Sequence, residues 1–247
     1  MNTNEALLHL YESKWSPLCK LLDERGLAGY EYNPLLLGVK DVEDFDSSDI
    51  KVMFFGQDMS EGPWYEYNRH TQPLSECMMS IRTFDNKEGS VELNGTRRTK
   101  GMGGGMNSFI DRFNDKFKDS KVRYVWNDII KLGRNLKGNS KKDILLQIES
   151  ECFDVIKDEI NIVKPQVVVF FTGPEAFWEG QLQRKVGINN SNYASFGDWN
   201  LRQLALLNLD SSIYPSVKYA FRTYHPSYNF RKHMWEPYEA MIHKVDL

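Results

Sequence analysis

The chain has 247 residues, 41% of them apolar and 26% charged, which suits one globular domain with a sizeable core. Its net charge of −3 does not announce a nucleic-acid binder, and no apolar run approaches the roughly 18 residues of a membrane-spanning helix. The three cysteines, Cys19, Cys77 and Cys152, lie far apart with no Cys-x-x-Cys, which argues against a disulfide framework, a structural zinc or an iron–sulfur cluster and fits a reducing compartment.

Leu7, Leu8, Leu10, Tyr11, Trp15, Leu18, Leu21 and Leu22 recur at helical spacing and Gly26 stops them, so residues 3–25 are predicted helical. The first residues, Met1-Asn2-Thr3-Asn4-Glu5, carry neither the basic nor the apolar part of a secretory signal, and none is expected. Residues 30–49 read as a linker whose acidic run, 41–49, is a surface loop. Residues 50–55 (Ile-Lys-Val-Met-Phe-Phe) read as a buried strand, followed by Gly56-Gln57-Asp58. A carboxylate at the carboxyl end of a central strand is where open α/β sheets place their chemistry.

Residues 57–100 are long and irregular, with Trp64, Tyr65, Tyr67 and a short helix near 75–82. Long loops in compact domains are functional or disordered, and the aromatics favour function. Residues 97–107 are basic, then glycine-rich, and open a helix predicted over 108–118. They read either as an anion-holding turn or as a mobile surface loop, and not as a Walker loop, since no Gly-Lys-Ser/Thr follows the glycines. A second strand, 122–126, ends in Asn127-Asp128. One long amphipathic helix is predicted over 143–163, a strand over 166–171, a helix near 175–184, a strand over 217–223 and a last helix over 230–244. Residues 187–210 receive no element. Strands alternating with helices at this spacing indicate a parallel sheet with helices on both faces.

Charge is unevenly spread. Residues 1–66 hold 13 acids and 5 bases, net −8, and residues 111–142 hold 10 bases and 4 acids, net +6. The second segment reads as a basic face for nucleic acid or as solvated helix and loop surface.

Three strands thus end in polar groups: Gly56-Gln57-Asp58, Asn127-Asp128 and His225-Pro226-Ser227. In a parallel sheet these ends share one edge, so an Asp, an Asn and a His can converge there. Taken singly, each is as readily a helix cap, a turn residue or a satisfied core histidine.

Gly56-Gln57-Asp58 and Tyr224-His225-Pro226-Ser227, followed by Arg231, resemble the two signature motifs of the uracil-DNA glycosylase superfamily. Val125-Trp126-Asn127 is similar to that family's middle strand, and Phe170-Phe171-Thr172-Gly173-Pro174 to its strand with a glycine turn. The resemblance covers residue 50 to the C-terminus and implies an α/β domain, three-layer α/β/α with a central four-stranded parallel sheet, over 1–247 with 1–49 as an N-terminal helical extension. It implies a monofunctional DNA glycosylase, needing no cofactor or metal and acting as a monomer on DNA in a bacterial or phage-related cytoplasm. Asp58 would stabilise the sugar cation and orient water, and neutral His225 would donate to the departing base. Asn127 would read the base edge, with Gln57, Met59, Tyr65 and Met102 around it. Arg98, Lys100, Ser227, Tyr228, Arg231 and Lys232 would hold the DNA, with Tyr228 as a wedge and Phe230 open between wedge and core.

One departure matters. The uracil-specific branch continues Pro-Tyr-His after Gly-Gln-Asp, and its Tyr excludes a C5 substituent; here Met59-Ser60-Glu61-Gly62 follows. A wider pocket is expected, accepting a modified base such as a C5-substituted pyrimidine, in host defence or modified-base repair. The alternatives are a uracil-excising repair enzyme, a non-catalytic nucleic-acid-binding member and a nucleotide-binding protein using the glycine run.

Overall fold

The computed structural model describes residues 1–58, 66–78, 84–85, 90–93, 96–97, 100–133 and 140–247. In chain order the first half holds α1 (Thr3–Glu24), α2 (Val42–Asp46), β1 (Ile50–Gly56), α3 (Leu74–Met78), β2 (Phe84–Asp85), β3 (Ser90–Leu93), β4 (Thr96–Arg97), α4 (Gly101–Lys116) and β5 (Val122–Asp128). The second half holds α5 (Lys142–Cys152), α6 (Ile156–Val163), β6 (Val167–Phe170), α7 (Ala176–Val186), β7 (Tyr193–Ala194), β8 (Leu204–Leu207), β9 (Tyr219–Thr223), α8 (Pro226–Lys232) and α9 (Glu236–Lys244).

The fold is α/β, and its main sheet is six-stranded and mixed, in the order β5-β1-β6-β9-β8-β7. The four strands expected from sequence are present and mutually parallel, but the sheet does not end with them. β8 and β7 extend it antiparallel beyond β9, within the stretch for which no element is predicted. These two are short and lie at the edge, where alternation has too few residues to register. A second, three-stranded antiparallel sheet, β2-β3-β4, falls in the segment expected to be irregular.

Strand alternation sorts the core onto two faces. Met53, Phe55, Val125, Val168, Phe170 and Ala220 point to one side, where α1, α5, α6 and α7 bury Leu7, Tyr11, Ile148, Ile160 and Leu182. Val52, Phe54, Tyr124, Trp126, Val169 and Phe221 point to the other, against Phe109 and Phe113 of α4 and Tyr238 and Met241 of α9. A stacked or edge-on aromatic cluster fills that second face: Phe54 lies 5.4 Å from Phe109, 5.8 Å from Tyr124 and 5.6 Å from Phe171. The N-terminal segment belongs to the first core. α1 is started by a capping box between Asn2 and Glu5, and it buries Leu7, Tyr11, Leu18 and Leu22 completely.

Three predicted helices are corrected. The long helix over 143–163 is two, α5 and α6, broken at 153–155, where Phe153 and Val155 both turn into the core. The glycine run is not a loop: α4 begins at Gly101 and contains it. Glycine weakens an isolated helix, but here it permits close packing, since a Cβ on Gly105 would stand 2.3 Å from the Pro226 carbonyl. The last helix is also two, α8 and α9, separated by His233 in the left-handed region at φ 52°.

Candidate functional site

The parallel strands β5, β1, β6 and β9 present their carboxyl ends along one edge. Neighbouring strands are about 4.8 Å apart, so β5 and β9 bracket a space of about 14 Å between backbones. Chain exits are knitted together there. Ile129 N donates to Gly56 O (3.1 Å), Ile130 N to Gln57 O (3.1 Å), and Gly173 N to Thr223 O (3.0 Å). The Gln57 side chain spans to the end of β6 and donates to Thr172 O at 2.8 Å. Gln57 and Asp58 are both half-buried.

Gly56 shapes this edge. It is paired in register with Asp128, and a Cβ at Gly56 would stand 2.2 Å from Asp128 Oδ1 and 2.3 Å from Trp126 Cζ2. The missing side chain lets the Asp128 carboxyl lie over the end of β1, close to Asp58. Asp128 is 6% exposed. Burial, and next the nearby Asp58 charge, push its carboxyl up to about 7, against the pull of Lys131.

Asn127 is a correction. The sequence reading ends the second strand at Trp126, leaving Asn127 free to face the site. β5 runs on to Asp128, so alternation carries Trp126 and Asp128 to one face of the sheet and Asn127 to the other. Asn127 is completely buried. Its Nδ2 donates to Glu159 Oε2 (2.7 Å), and its Oδ1 accepts from Lys131 Nζ (2.6 Å) and from the Asp128 backbone (2.9 Å). Its side-chain amide is thus engaged behind the sheet and not beside Asp58.

His225 follows β9 as the N-cap of α8, with Pro226 at the first helical position. Its Nδ1 accepts from Ser227 N at 3.2 Å. In a neutral imidazole this leaves the hydrogen on Nε2. Burial first, and the charge of Arg231 second, draw the imidazole down to about 4, so it is neutral at pH 7. A neutral ring presenting Nε2–H can donate to a developing anion without surrendering a proton.

Around these groups, Ser227 is half-buried through its cap role, Tyr228 is 36% exposed, and Arg231 and Lys232 are exposed. Tyr228 packs on Tyr224 with ring centroids 4.8 Å apart. Phe230 is half-buried edge-on to Trp235 at 6.1 Å, and its neighbour Asn229 is fully buried; both serve packing. Lys100 is exposed at the start of α4, and Met102 is half-buried against the aromatic core. Met59, Tyr65 and Arg98 lie outside the described residues, as does Trp64.

Much of the basic segment is engaged internally. Lys121 and Arg123 bind Asp44 and, with the Arg123 hydrogen bond leading, hold its carboxyl at about 2. Lys116 donates to the Ile242 carbonyl at 2.8 Å at the end of α9, and Arg112 sits 3.5 Å from Glu239. The acidic and basic segments therefore meet at Asp44.

Sequence reasoning missed Asp128 as a site residue and the polar cluster behind β5. Lys131 and Glu159 are fully buried and 2.8 Å apart, Tyr11 donates to Glu159 at 2.5 Å, and Glu149 accepts from the Lys131 and Leu132 backbones at 3.0 Å and from Lys185. The only signal was acidic residues on otherwise apolar helix stripes. A separate groove of about 710 Å³, lined by Phe196, Trp199, Gln203 and His243, shares no residue with the strand-end site. Among the described residues, no group of three or more His, Cys, Asp or Glu is placed to hold a metal, and no helix is long and apolar enough to cross a membrane.

No family model matches the chain, and no curated protein matches it in sequence.

Proposed function

We propose that the protein is a monofunctional DNA glycosylase that hydrolyses the N-glycosidic bond of a flipped-out modified base, a C5-substituted pyrimidine in particular. The observation that carries this reading is the placement of Asp58 and a neutral His225 at the ends of β1 and β9, with β6 between them. Two strand spacings, about 10 Å, separate those backbones, a gap suited to a nucleoside. Glycosidic cleavage develops positive charge on the sugar and negative charge on the base. Asp58 meets the first and orients the attacking water; His225 Nε2–H meets the second. The target must leave the base stack to reach a strand-end pocket. Exposed Tyr228, Arg231 and Lys232 beside His225 supply a stacking ring and phosphate partners.

On this reading the domain is a three-layer α/β/α fold of the uracil-DNA glycosylase type, widened by two antiparallel strands at the β9 edge. It acts as a monomer on cytoplasmic DNA, in modified-base repair or in defence against modified phage DNA. The test is base release from oligonucleotides carrying uracil, 5-hydroxymethylcytosine, glucosylated 5-hydroxymethylcytosine or an unmodified control. Release of a C5-substituted base supports the reading. Release of uracil alone refutes the wide pocket, and release of nothing, with oligonucleotide binding retained, favours a non-catalytic nucleic-acid-binding protein.

A further inference from the structure

The face of the sheet on which each residue at the end of β5 lies carries a second conclusion, which rests on the glycosidase reading above. Asn127 is bonded away behind the sheet, and Asp128 takes the place beside Asp58. We propose that Asp128, not Asn127, reads the base, and that it selects a pyrimidine bearing an amino group at C4 and a lone pair at N3, to which it delivers its carboxyl proton.

The geometry comes first. Asp128 and His225 stand at the two outer parallel strands, β5 and β9. The Asp128 carboxyl lies over the end of β1, two strand spacings or about 10 Å from β9, a distance that one pyrimidine ring spans with a hydrogen bond on either side. The 2-carbonyl faces His225 Nε2–H, and the N3/C4 edge faces Asp128. A protonated carboxyl matches an amino-pyrimidine edge in both positions: its O–H donates to N3, and its C=O accepts from the 4-amino group. Asp128 is 94% removed from solvent by the same burial that raises its proton affinity, and the charged groups facing it are Asp58 and Lys131. The Asp58 charge acts on it second to burial and in the same direction, favouring the protonated carboxyl at Asp128.

That proton balances the chemistry. It passes from Asp128 to N3, and the C1′–N1 bond breaks with its electron pair moving to N1, so the base departs neutral. Water adds to C1′ and gives a proton to Asp58. The pair began with one proton on Asp128 and ends with one on Asp58, and a single transfer between neighbours resets it. An amino-pyrimidine leaves poorly as an anion and gains most from this protonation. Uracil already carries hydrogen at N3 and offers no lone pair there.

The experiment compares single-turnover release of 5-hydroxymethylcytosine and of uracil from otherwise identical oligonucleotides between pH 5.5 and 9. Expected for the native protein are faster release of the amino-pyrimidine and an alkaline decline, with a midpoint near 7, for that base alone. Asp128→Asn should lose about 10²–10⁴-fold on the amino-pyrimidine and lose that alkaline limb, while retaining a cooperative thermal transition. The native pH profiles alone decide the matter should the variant misfold. Preference for uracil, identical profiles for the two bases, or an unchanged Asp128→Asn rate overturns this inference but leaves the glycosidase reading standing. Release of no base from either oligonucleotide, nor from the glucosylated one, overturns both.

Discussion

Two sets of carboxylates flank β5, and their surroundings are opposite. Behind the sheet, Glu149 and Glu159 each meet a lysine and further donors: Lys131, Asn127 and Tyr11 around Glu159, and Lys185 with two backbone amides around Glu149. At the strand ends, Asp128 meets another carboxylate, Asp58, which outweighs the Lys131 charge and a Trp126 hydrogen bond. The first set closes its own electrostatics and fixes the chain leaving β5. The second sets two like charges close together at the strand edge. The same residue type is a structural tie on one face and, in the function proposed above, a reactive group on the other.

The strongest way to break this contrast is on the tied side. Lys131→Met strands Glu159 in the core and is expected to cost about 3–5 kcal/mol, read by urea unfolding. Asp128→Asn, on the other side, removes a like-charge neighbour and is expected to leave stability unchanged or improved. Equal losses for the two would erase the distinction.

Next comes Gly56→Ala, whose added carbon must displace the Asp128 carboxyl or the Trp126 ring. A cost of about 1–3 kcal/mol is expected, with loss of base release beyond what stability explains. Native stability with full activity would show that the close approach at Gly56 is dispensable.

The pH dependence of the melting temperature sharpens the contrast further. His225 is held at about 4 in the fold against an ordinary 6.5, so between those values the unfolded chain takes up a proton that the native one refuses, and stability falls as pH drops through that window. Asp128 is held at about 7 against 3.8, so its native form keeps a proton that the unfolded chain releases, and stability falls as pH rises from about 4 to 7. His225→Gln should flatten the first slope and Asp128→Asn the second. Parallel effects of the two variants would contradict the opposed shifts. The smallest effect on folding is expected from Tyr228→Ala, within about 0.5 kcal/mol, since the ring is exposed. Its loss should instead weaken oligonucleotide binding, by about 1–3 kcal/mol if a base stacks on it.

What was legible in the sequence follows from signal length. β1, β5, β6 and β9 are apolar runs with clear ends, and their parallel order follows from the intervening helices. Asp58 and His225 stand out as candidates because each lies two residues past the end of such a run. Asn127 was misassigned by the extent of one strand: two more residues of β5 settle which of two neighbours faces which side. The glycine run of α4 reads as a loop by propensity and is a helix by packing against Pro226, a partner 121 residues beyond Gly105 that no local window contains. The break at 153–155 hides in the same way, because Phe153 and Val155 satisfy a helical pattern until the core claims both.

The central claim is that Asp58 works on a sugar at this strand edge. The direct measurement is abasic-site formation in an oligonucleotide carrying a C5-substituted pyrimidine, read by alkaline strand cleavage for the native protein and for Asp58→Asn at matched binding. The account predicts cleavable sites with the native protein and a loss of about 10²–10⁴-fold in the variant, with affinity retained. Equal cleavage by the two proteins would contradict it.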